Sequence, residues 1–400
     1  MNPIASRLSF RTAGESHGGT VVVLLEGLPR GILLDIAAID AELQRRQGGA
    51  GRGGRQRMEH DRVEVLSGLR RGRTIGSPLC MQVRNRDATI DQLPEPTRPR
   101  PGHADLAGCY RWLDRDIRST LERASARETC ARVAAGAVAI QVLAAAGAQT
   151  FSFVRSVQAA QLPPELPGAF GAQDLAVLRA KRDASALYTL DERADAAMLA
   201  CVQEAGRRKD TVGGVVEAHV LDILPGLGSC LQWHERLDAR LGAALLSIPA
   251  IKGVEVGDGF AGAGAFGSSV HDPILPWSGG LALPRGSNHA GGLEAGMTNG
   301  APVVVRAAMK PISTLGQPLA SVDLSDGSPA PAGYERSDLC AVSAASVVAE
   351  SMAALVLADA LLARVGGETM EEFGVRLERI RAEVERLSRG DWGQKSQVVP

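Results

Sequence analysis

The run "ARVAAGAVAIQVLAAAGA", residues 131–148, puts apolar side chains on every side of any helix it forms. A helix that is apolar all round cannot lie on a surface, so this stretch is expected as a buried helix. Arg132, Gln141 and the high alanine content argue against a membrane span. Only 4% of the 400 residues are aromatic, so the core around it must be built from Ala, Val, Leu and Ile. A chain of this length is ample for one large core.

A formal net charge of -1 excludes attraction of the whole protein to nucleic acid or an anionic membrane, although a local basic site remains open. The start, "MNPIASRLSFR", has no apolar signal core. The six cysteines include no CxxC pair, which predicts reduced thiols and no structural zinc or disulfide framework.

"TVVVLLEGLPRGILLD" predicts a buried strand, a turn over Gly27–Gly31 and a second extended piece. Asp35 is the expected cap of a helix over "IAAIDAELQRRQ", with Ile36, Ile39 and Leu43 on one face. "DRVEVLSGL" and "VGGVVEAHVLDIL" predict strands, and "RLDARLGAALLSI" a helix. Ser119 and Glu122 form an S-x-x-E capping-box pattern, from which one long helix is predicted through the apolar run. A strong helix over about 341–364 and a charged amphipathic helix after it close the chain. The pattern is α+β, in one large domain.

Four stretches could carry chemistry. Arg45, Arg46, Arg52, Arg55 and Arg57 interleave with five glycines, a composition suited to a polyanionic small molecule. An RGG-like nucleic-acid contact or a solvated loop fits the same residues. His103, in "RPGHAD", follows the prolines at 94, 96, 99 and 101, which would hold a general acid or base in one orientation. Arg123 and Arg127 are four apart, which puts them on one face of a continuous helix near an anion-attracting N-terminus. Pairing with Glu122 and Glu128 is the plainer alternative. Lys310, Ser313 and Thr314 offer a cation and hydroxyls, and Arg336 with Asp338 could be a simple surface pair.

Taken in order, "GESHG", "RRQGGAGRGG", "RPGHAD", "ERASARETCARVAAG", "SIPAIKGVEVGDGF", "SNHAGG", "KPIST" and "RSDLCAV" resemble the chorismate synthase family. The resemblance implies a single large α+β domain with a β-α-β sandwich core over residues 1–365, followed by a helix and polar tail over 366–400. It implies a cytoplasmic homotetrameric lyase of aromatic amino-acid biosynthesis. The implied reaction is conversion of 5-enolpyruvylshikimate 3-phosphate to chorismate and phosphate, by 1,4-anti elimination with reduced FMN. The implied partner is a small-molecule substrate, with no nucleic acid and no membrane, and NADPH is a candidate reductant of the flavin. A flavin reductase or oxidoreductase and a specialised paralogue are the rival enzymes. "GAGRGG" lacks the strand-to-helix context of a dinucleotide fingerprint.

Carried over by position, His17 matches the histidine that protonates the leaving phosphate. His103 matches the one that protonates reduced flavin, and Asp338 the aspartate that assists proton removal. Arg46, Arg52 and Arg127 match contacts to nucleotide or substrate anion. Arg123, Ala124, Ser125, Pro249, Ala250, Ala295, Lys310, Pro311, Ile312, Ser313, Thr314 and Arg336 match the flavin-binding positions, and no metal is implied. Three departures stand out: Ala295 replaces a usual glycine, "CYRWLDRD" at 109–116 replaces a "KYG" pattern, and Ser343 replaces a proline.

Overall fold

The computed structural model describes residues 7–53, 60–163, 174–335 and 337–391. Strands β1 (Ser9–Ala13), β2 (Thr20–Glu26), β3 (Val63–Ser67) and β6 (Leu79–Arg84) form an antiparallel sheet in the order β1-β2-β6-β3. Two short hairpin strands, β4 (Leu69–Arg70) and β5 (Arg73–Thr74), pair between β3 and β6. Although β2 reads as apolar on both sides, only Val21, Val23 and Leu25 are fully buried. That alternation is the signature of a sheet with one covered face. The piece after the Gly27–Gly31 turn, expected as extended, forms only the isolated bridge of Leu33 to Arg73, and Arg30 within the turn bridges Thr369.

A second antiparallel sheet has the order β10-β13-β9-β7-β8. Its strands are β7 (Gln149–Val157), β8 (Ala160–Gln161), β9 (Gly214–Leu221), β10 (Ile251–Val256) and β13 (Val303–Met309). The helices of eight residues or more among the described residues are α1 (Ile36–Gln47), α2 (Asp105–Trp112), α3 (Ile117–Ala124), α4 (Thr129–Ala145), α5 (Leu175–Ala184), α6 (Glu192–Arg208), α7 (Leu237–Leu246), α8 (Val342–Val365) and α9 (Met370–Ser388). Helix α4 packs on β1, β2 and β6, α8 packs on β7, β9 and β13, and the two helices pack on each other. The chain is therefore an α+β protein with two central helices between two sheets, which is why α4 and α8 are apolar on all sides. Helix α8 is long and apolar enough to cross a membrane, yet its whole apolar window is buried inside the protein.

Two features hold the central layer together. A Cβ on Gly136 of α4 would lie 2.2 Å from that of Ser351 on α8, so only glycine lets the helices approach this closely. Glu350 of α8 is buried among Arg45 of α1 (2.6 Å), Thr150 (2.6 Å) and Ser152 (2.7 Å) of β7. Burial raises the Glu350 pKa, but Arg45, Arg182 and these hydroxyls outweigh it and bring it to about 2. Helix α9 docks through Phe373 and Leu377 after the Gly366–Gly367 break.

Asp35 caps α1 as expected, its Oδ1 accepting from Ala38 N at 3.1 Å. The single helix from Ser119 does not form. Asp116 caps α3 by accepting from Arg118 N, which leaves Ser119 inside the helix. At Ser125 the backbone turns extended (φ -63°, ψ 141°), and its Oγ accepts from Arg127 N to begin a separate helical turn that leads into α4. Serine at that point competes for backbone donors as a cap does.

Ala295 lies in a two-residue hairpin loop between β11 (Leu293–Glu294) and β12 (Met297–Thr298). Ala295 and Gly296 have φ of +49° and +84°, the type I′ geometry that favours glycine at both positions. The family's usual glycine thus has a backbone reason. Ala295→Gly is expected to stabilise the protein by up to about 1 kcal/mol, since relief of left-handed strain exceeds the added unfolded-chain entropy. A higher urea midpoint checks this, and an unchanged or lower midpoint refutes it.

The remaining pair of strands, β14 (Ala320–Val322) and β15 (Pro329–Pro331), leads into segment 332–340, which lines the site described next.

Candidate active site

The "GESHG" turn joins β1 to β2. A Cβ on Gly14 (φ +108°) would meet Thr20 O at 2.3 Å, so the turn can close only on glycine. Asn85 clamps the turn from outside, its Nδ2 donating to Glu15 O (3.0 Å) and Gly18 O (2.7 Å). Within it, His17 Nδ1 lies 2.9 and 3.0 Å from the two oxygens of Glu122, and His17 N donates to Oε2 at 2.7 Å. Glu122 comes from α3 and its side chain is wholly buried. Burial drives its pKa up, but the hydrogen bonds from His17 and Arg118 prevail and lower it. An ionised acceptor requires Nδ1 to carry the proton. His17 Nε2 is 3.9 Å from Asp87 Oδ2.

The break at Ser125 sends the neighbouring arginines apart, so they do not share a helical face. Arg123 donates to Thr12 O, Thr12 Oγ1 and Gly14 O, tying the last residues of α3 and Ala124 to the end of β1. Ser125 Oγ donates to Ser16 Oγ at 3.1 Å. Arg127 turns inward, its Nη1 on Asp61 Oδ1 (2.6 Å) and its Nε on Asn85 Oδ1 (2.7 Å). Arg46 approaches Asp61 from the other side, with Nη2 on Oδ2 at 2.7 Å. Asp61 is buried, which raises its pKa, but the two guanidinium groups more than reverse this. Arg46 Nε is buried with no hydrogen-bond partner among the described residues.

Beyond α1 the chain runs beside segment 337–340. Arg52 Nη1 is 2.7 Å from Asp338 Oδ2, Gly53 N donates to Asp338 Oδ1 at 2.6 Å, and Leu339 N donates to Gly51 O at 2.8 Å. Burial depresses the Arg52 guanidinium; Asp338 counters this and the like charge of Arg46 adds to it. Its Nε is a second buried donor without a partner among the described residues. Arg55, Arg57 and Arg336 lie outside the described residues.

The proline-rich loop brings His103 over the start of α2, where its Nδ1 pairs closely with Asp105 Oδ1. Asp105 is buried and also accepts from Arg100 N and Nε, each at 2.9 Å. Although burial raises its pKa, the bonds from His103 and Arg100 hold it far below the usual carboxylate range. Arg100 Nη1 continues to Thr314 Oγ1 at 2.8 Å. Lys310 Nζ donates to Ser313 Oγ (2.8 Å) and Gly102 O (2.9 Å), which brings the "KPIST" stretch against the His103 loop. Burial, with the like charge of Lys252, lowers the Lys310 pKa. Lys310 N donates to Ala250 O, which aligns Pro249–Ala250 with that stretch, and Ile312 O accepts from Thr211 Oγ1. Ala295 stands apart from these bonds, in a loop whose Gly296 O accepts from Leu237 N.

One strip of chain ties the clusters together. Gly333 N donates to Arg98 O in the His103 loop, and Glu335 accepts from Arg118, the partner of Glu122. Asp338, three residues later, binds Arg52. Three residues of chain span at most about 11 Å. The supports of His17, His103 and Asp338 are therefore tied to one short stretch, through Glu335, Gly333 and Asp338 in turn. The sequence reading missed the buried carboxylates Glu122, Asp105 and Asp61, with Arg100, Arg118 and Asn85. Only the H-x-D spacing at 103–105 carried a signal for any of them.

Such a site can hold several anions and hand protons to them, from two imidazoles that each lean on a carboxylate. The family model described as chorismate synthase matches residues 8–362 of the chain. Among curated relatives, the chorismate synthase of Symbiobacterium thermophilum is 47% identical over 399 residues, covering 96% of this chain and 100% of that one. That of Rubrobacter xylanophilus is 49% identical over 378 residues, covering 92% and 95%. A crystal structure of chorismate synthase superposes with a TM-score of 0.78 at 40% identity, covering 94% of this chain and 98% of that one.

Proposed function

This chain belongs to the chorismate synthase family, and from that premise we propose that it converts 5-enolpyruvylshikimate 3-phosphate to chorismate and phosphate. The reaction is a 1,4-anti elimination. The observation that carries this reading is that two carboxylate-backed histidines and Asp338 are tied through their supports to one strip, beside buried arginines.

The substrate carries two carboxylates and a phosphate, and the buried Nε atoms of Arg46 and Arg52, without partners among the described residues, are donors that suit such anions. Arg127 and Arg46 also brace each other through Asp61, so that they act as a rigid wall. His17, with Nδ1 held by Glu122, gives a proton through Nε2 to the departing phosphate. Asp338, positioned by Arg52 and Gly53 N, assists removal of the ring proton on the other side.

The residues also fit a phosphate-bearing flavin. Lys310 is a cation made costly by burial and by Lys252, and an anion would relieve that cost. Lys310 to Thr314, Arg123 to Ser125, Pro249–Ala250, Ala295 and Arg336 would hold reduced FMN, with NADPH a possible hydride source for its reduction. When bound, the reduced flavin supplies an electron that eases loss of phosphate and is then recovered. His103, with Nδ1 on Asp105, keeps Nε2 as its proton-handling atom beside that site. Under the same reading the enzyme works in the cytoplasm as a homotetramer, and exposed Phe260 and Phe266 offer apolar surface for subunit contacts.

The test is an anaerobic assay with the substrate and chemically reduced FMN. Equal amounts of phosphate and chorismate, with no net oxidation of flavin, are the expected result. Flavin demonstrably bound without turnover would overturn the reading, and flavin consumed in proportion to product would favour an oxidoreductase.

A further inference from the structure

We propose that Glu122 is a positioning residue for this reaction: its carboxylate sets the orientation and tautomer of His17, and Arg118 sets the carboxylate. The inference rests on His17 being the proton donor described above.

Three short bonds run from His17 to this one carboxylate: the ring Nδ1 at 2.9 and 3.0 Å and the backbone N at 2.7 Å. A group that grips both the ring and the main chain of one residue leaves the ring little freedom to swing. The main chain adds a further tie, Ser16 N to Glu122 O at 3.1 Å. Arg118, one turn earlier on α3, stands farther from the carboxylate, at 3.3 Å. Its other nitrogens are taken by Pro94 O and Glu335, each at 3.1 Å. A plain helical ion pair would direct Glu122 at Arg118 and toward solvent. Here the carboxylate is buried and its shortest bonds go to a residue 105 positions away.

The same device occurs at His103, where buried Asp105 holds Nδ1 and is itself held by Arg100. At both histidines a guanidinium backs the carboxylate, although at His103 Arg100 Nη2 also stands 3.0 Å from the ring Nδ1 and 3.5 Å from Nε2. In this arrangement the carboxylate stabilises the imidazolium and, in the neutral ring, confines the proton to Nδ1, so that Nε2 does the transfer. Asp87 Oδ2 also faces the His17 ring, 3.9 Å from Nε2, and Glu335 acts through Arg118.

The test compares full-length Glu122→Gln, Glu122→Asp, His17→Ala and the His17→Ala/Glu122→Gln double variant. Glu122→Gln keeps size and loses charge. It is expected to lower kcat by about 10–100-fold, with KM and flavin affinity altered by less than about threefold. The high-pH limb of its kcat profile should move to lower pH, because a donor without its carboxylate gives up the proton sooner. Glu122→Asp should restore part of the rate, and the double variant should be no slower than His17→Ala.

Wild-type kcat and pH profile in Glu122→Gln, with His17→Ala inactive, would overturn the positioning role alone. So would a variant that loses flavin binding and stability together while its residual rate keeps the wild-type profile. Near wild-type turnover in His17→Ala would instead overturn the parent reading. Should Glu122→Gln not fold, the ring-nitrogen NMR shifts of His17 in the wild-type protein decide. A neutral ring protonated at Nδ1 supports the proposal, and one protonated at Nε2 overturns it.

Discussion

Replacing His17 or His103 with alanine is expected to lower turnover by about 10²–10⁴-fold, the usual contribution of a positioned general acid or base. Flavin binding should change little, because neither ring is among the cationic and hydroxyl groups around Lys310. Each ring is held at Nδ1 by a buried carboxylate, Glu122 for His17 and Asp105 for His103. Alanine removes the proton and leaves the carboxylate and its arginine in place, so the surrounding turn keeps its other bonds. His60, His234 and His271 are exposed and serve as controls whose loss should not slow the reaction. His219 is buried against Glu217 at 2.7 Å, so its replacement should cost stability rather than catalytic rate. Steady-state assay of the purified variants, with flavin titration on each, separates these effects. Near wild-type turnover in both His17→Ala and His103→Ala would refute the assignment of roles.

The second large effect is on stability. Asp61→Ala leaves two buried guanidinium groups, Arg46 and Arg127, without their shared carboxylate. Breaking a buried pair from one side typically costs about 3–5 kcal/mol, because the remaining charge keeps its desolvation penalty. Here one removal strands two charges. The urea midpoint should fall accordingly, and a loss below about 1 kcal/mol would show that water takes over both guanidinium groups. The sign with pH follows from the lowered pKa of Asp61. Its contribution is fully present above the unfolded value of about 4 and is lost as pH falls toward the folded value. The stability gap between wild type and Asp61→Ala should therefore narrow in acid. Because Arg127 also holds Asn85, which clamps the His17 turn, the variant should lose activity along with stability.

Much of the architecture was legible from local pattern. The cap at Asp35, the strand at β2 and the all-round apolar character of 131–148 each depend on near neighbours along the chain, whereas the one-sided burial of β2 does not. The ordered motifs brought His17, His103 and Asp338 into view before any coordinate did. The failures came where a residue had two possible partners. Ser119 and Glu122 match a capping box, but Asp116 caps the helix first and His17 claims the glutamate. Arg123 and Arg127 share a face only if the helix continues, and Ser125 ends it. The glycine-flanked arginines looked alike, yet Arg46 is spent largely on Asp61 and Arg52 on Asp338.

The sequence by itself determined the class of fold, because two helices apolar on every side can be buried only between other layers. It determined as well which residues were available for chemistry. Only the tertiary structure decided which carboxylate backs which histidine and which arginine donors stay open. The physical reason is that a buried charge must find an opposite charge or a hydrogen-bond donor wherever the fold brings one near. Those partners lie hundreds of positions apart, 305 for Arg45 and Glu350 and 285 for Gly53 and Asp338, and no local pattern encodes that choice.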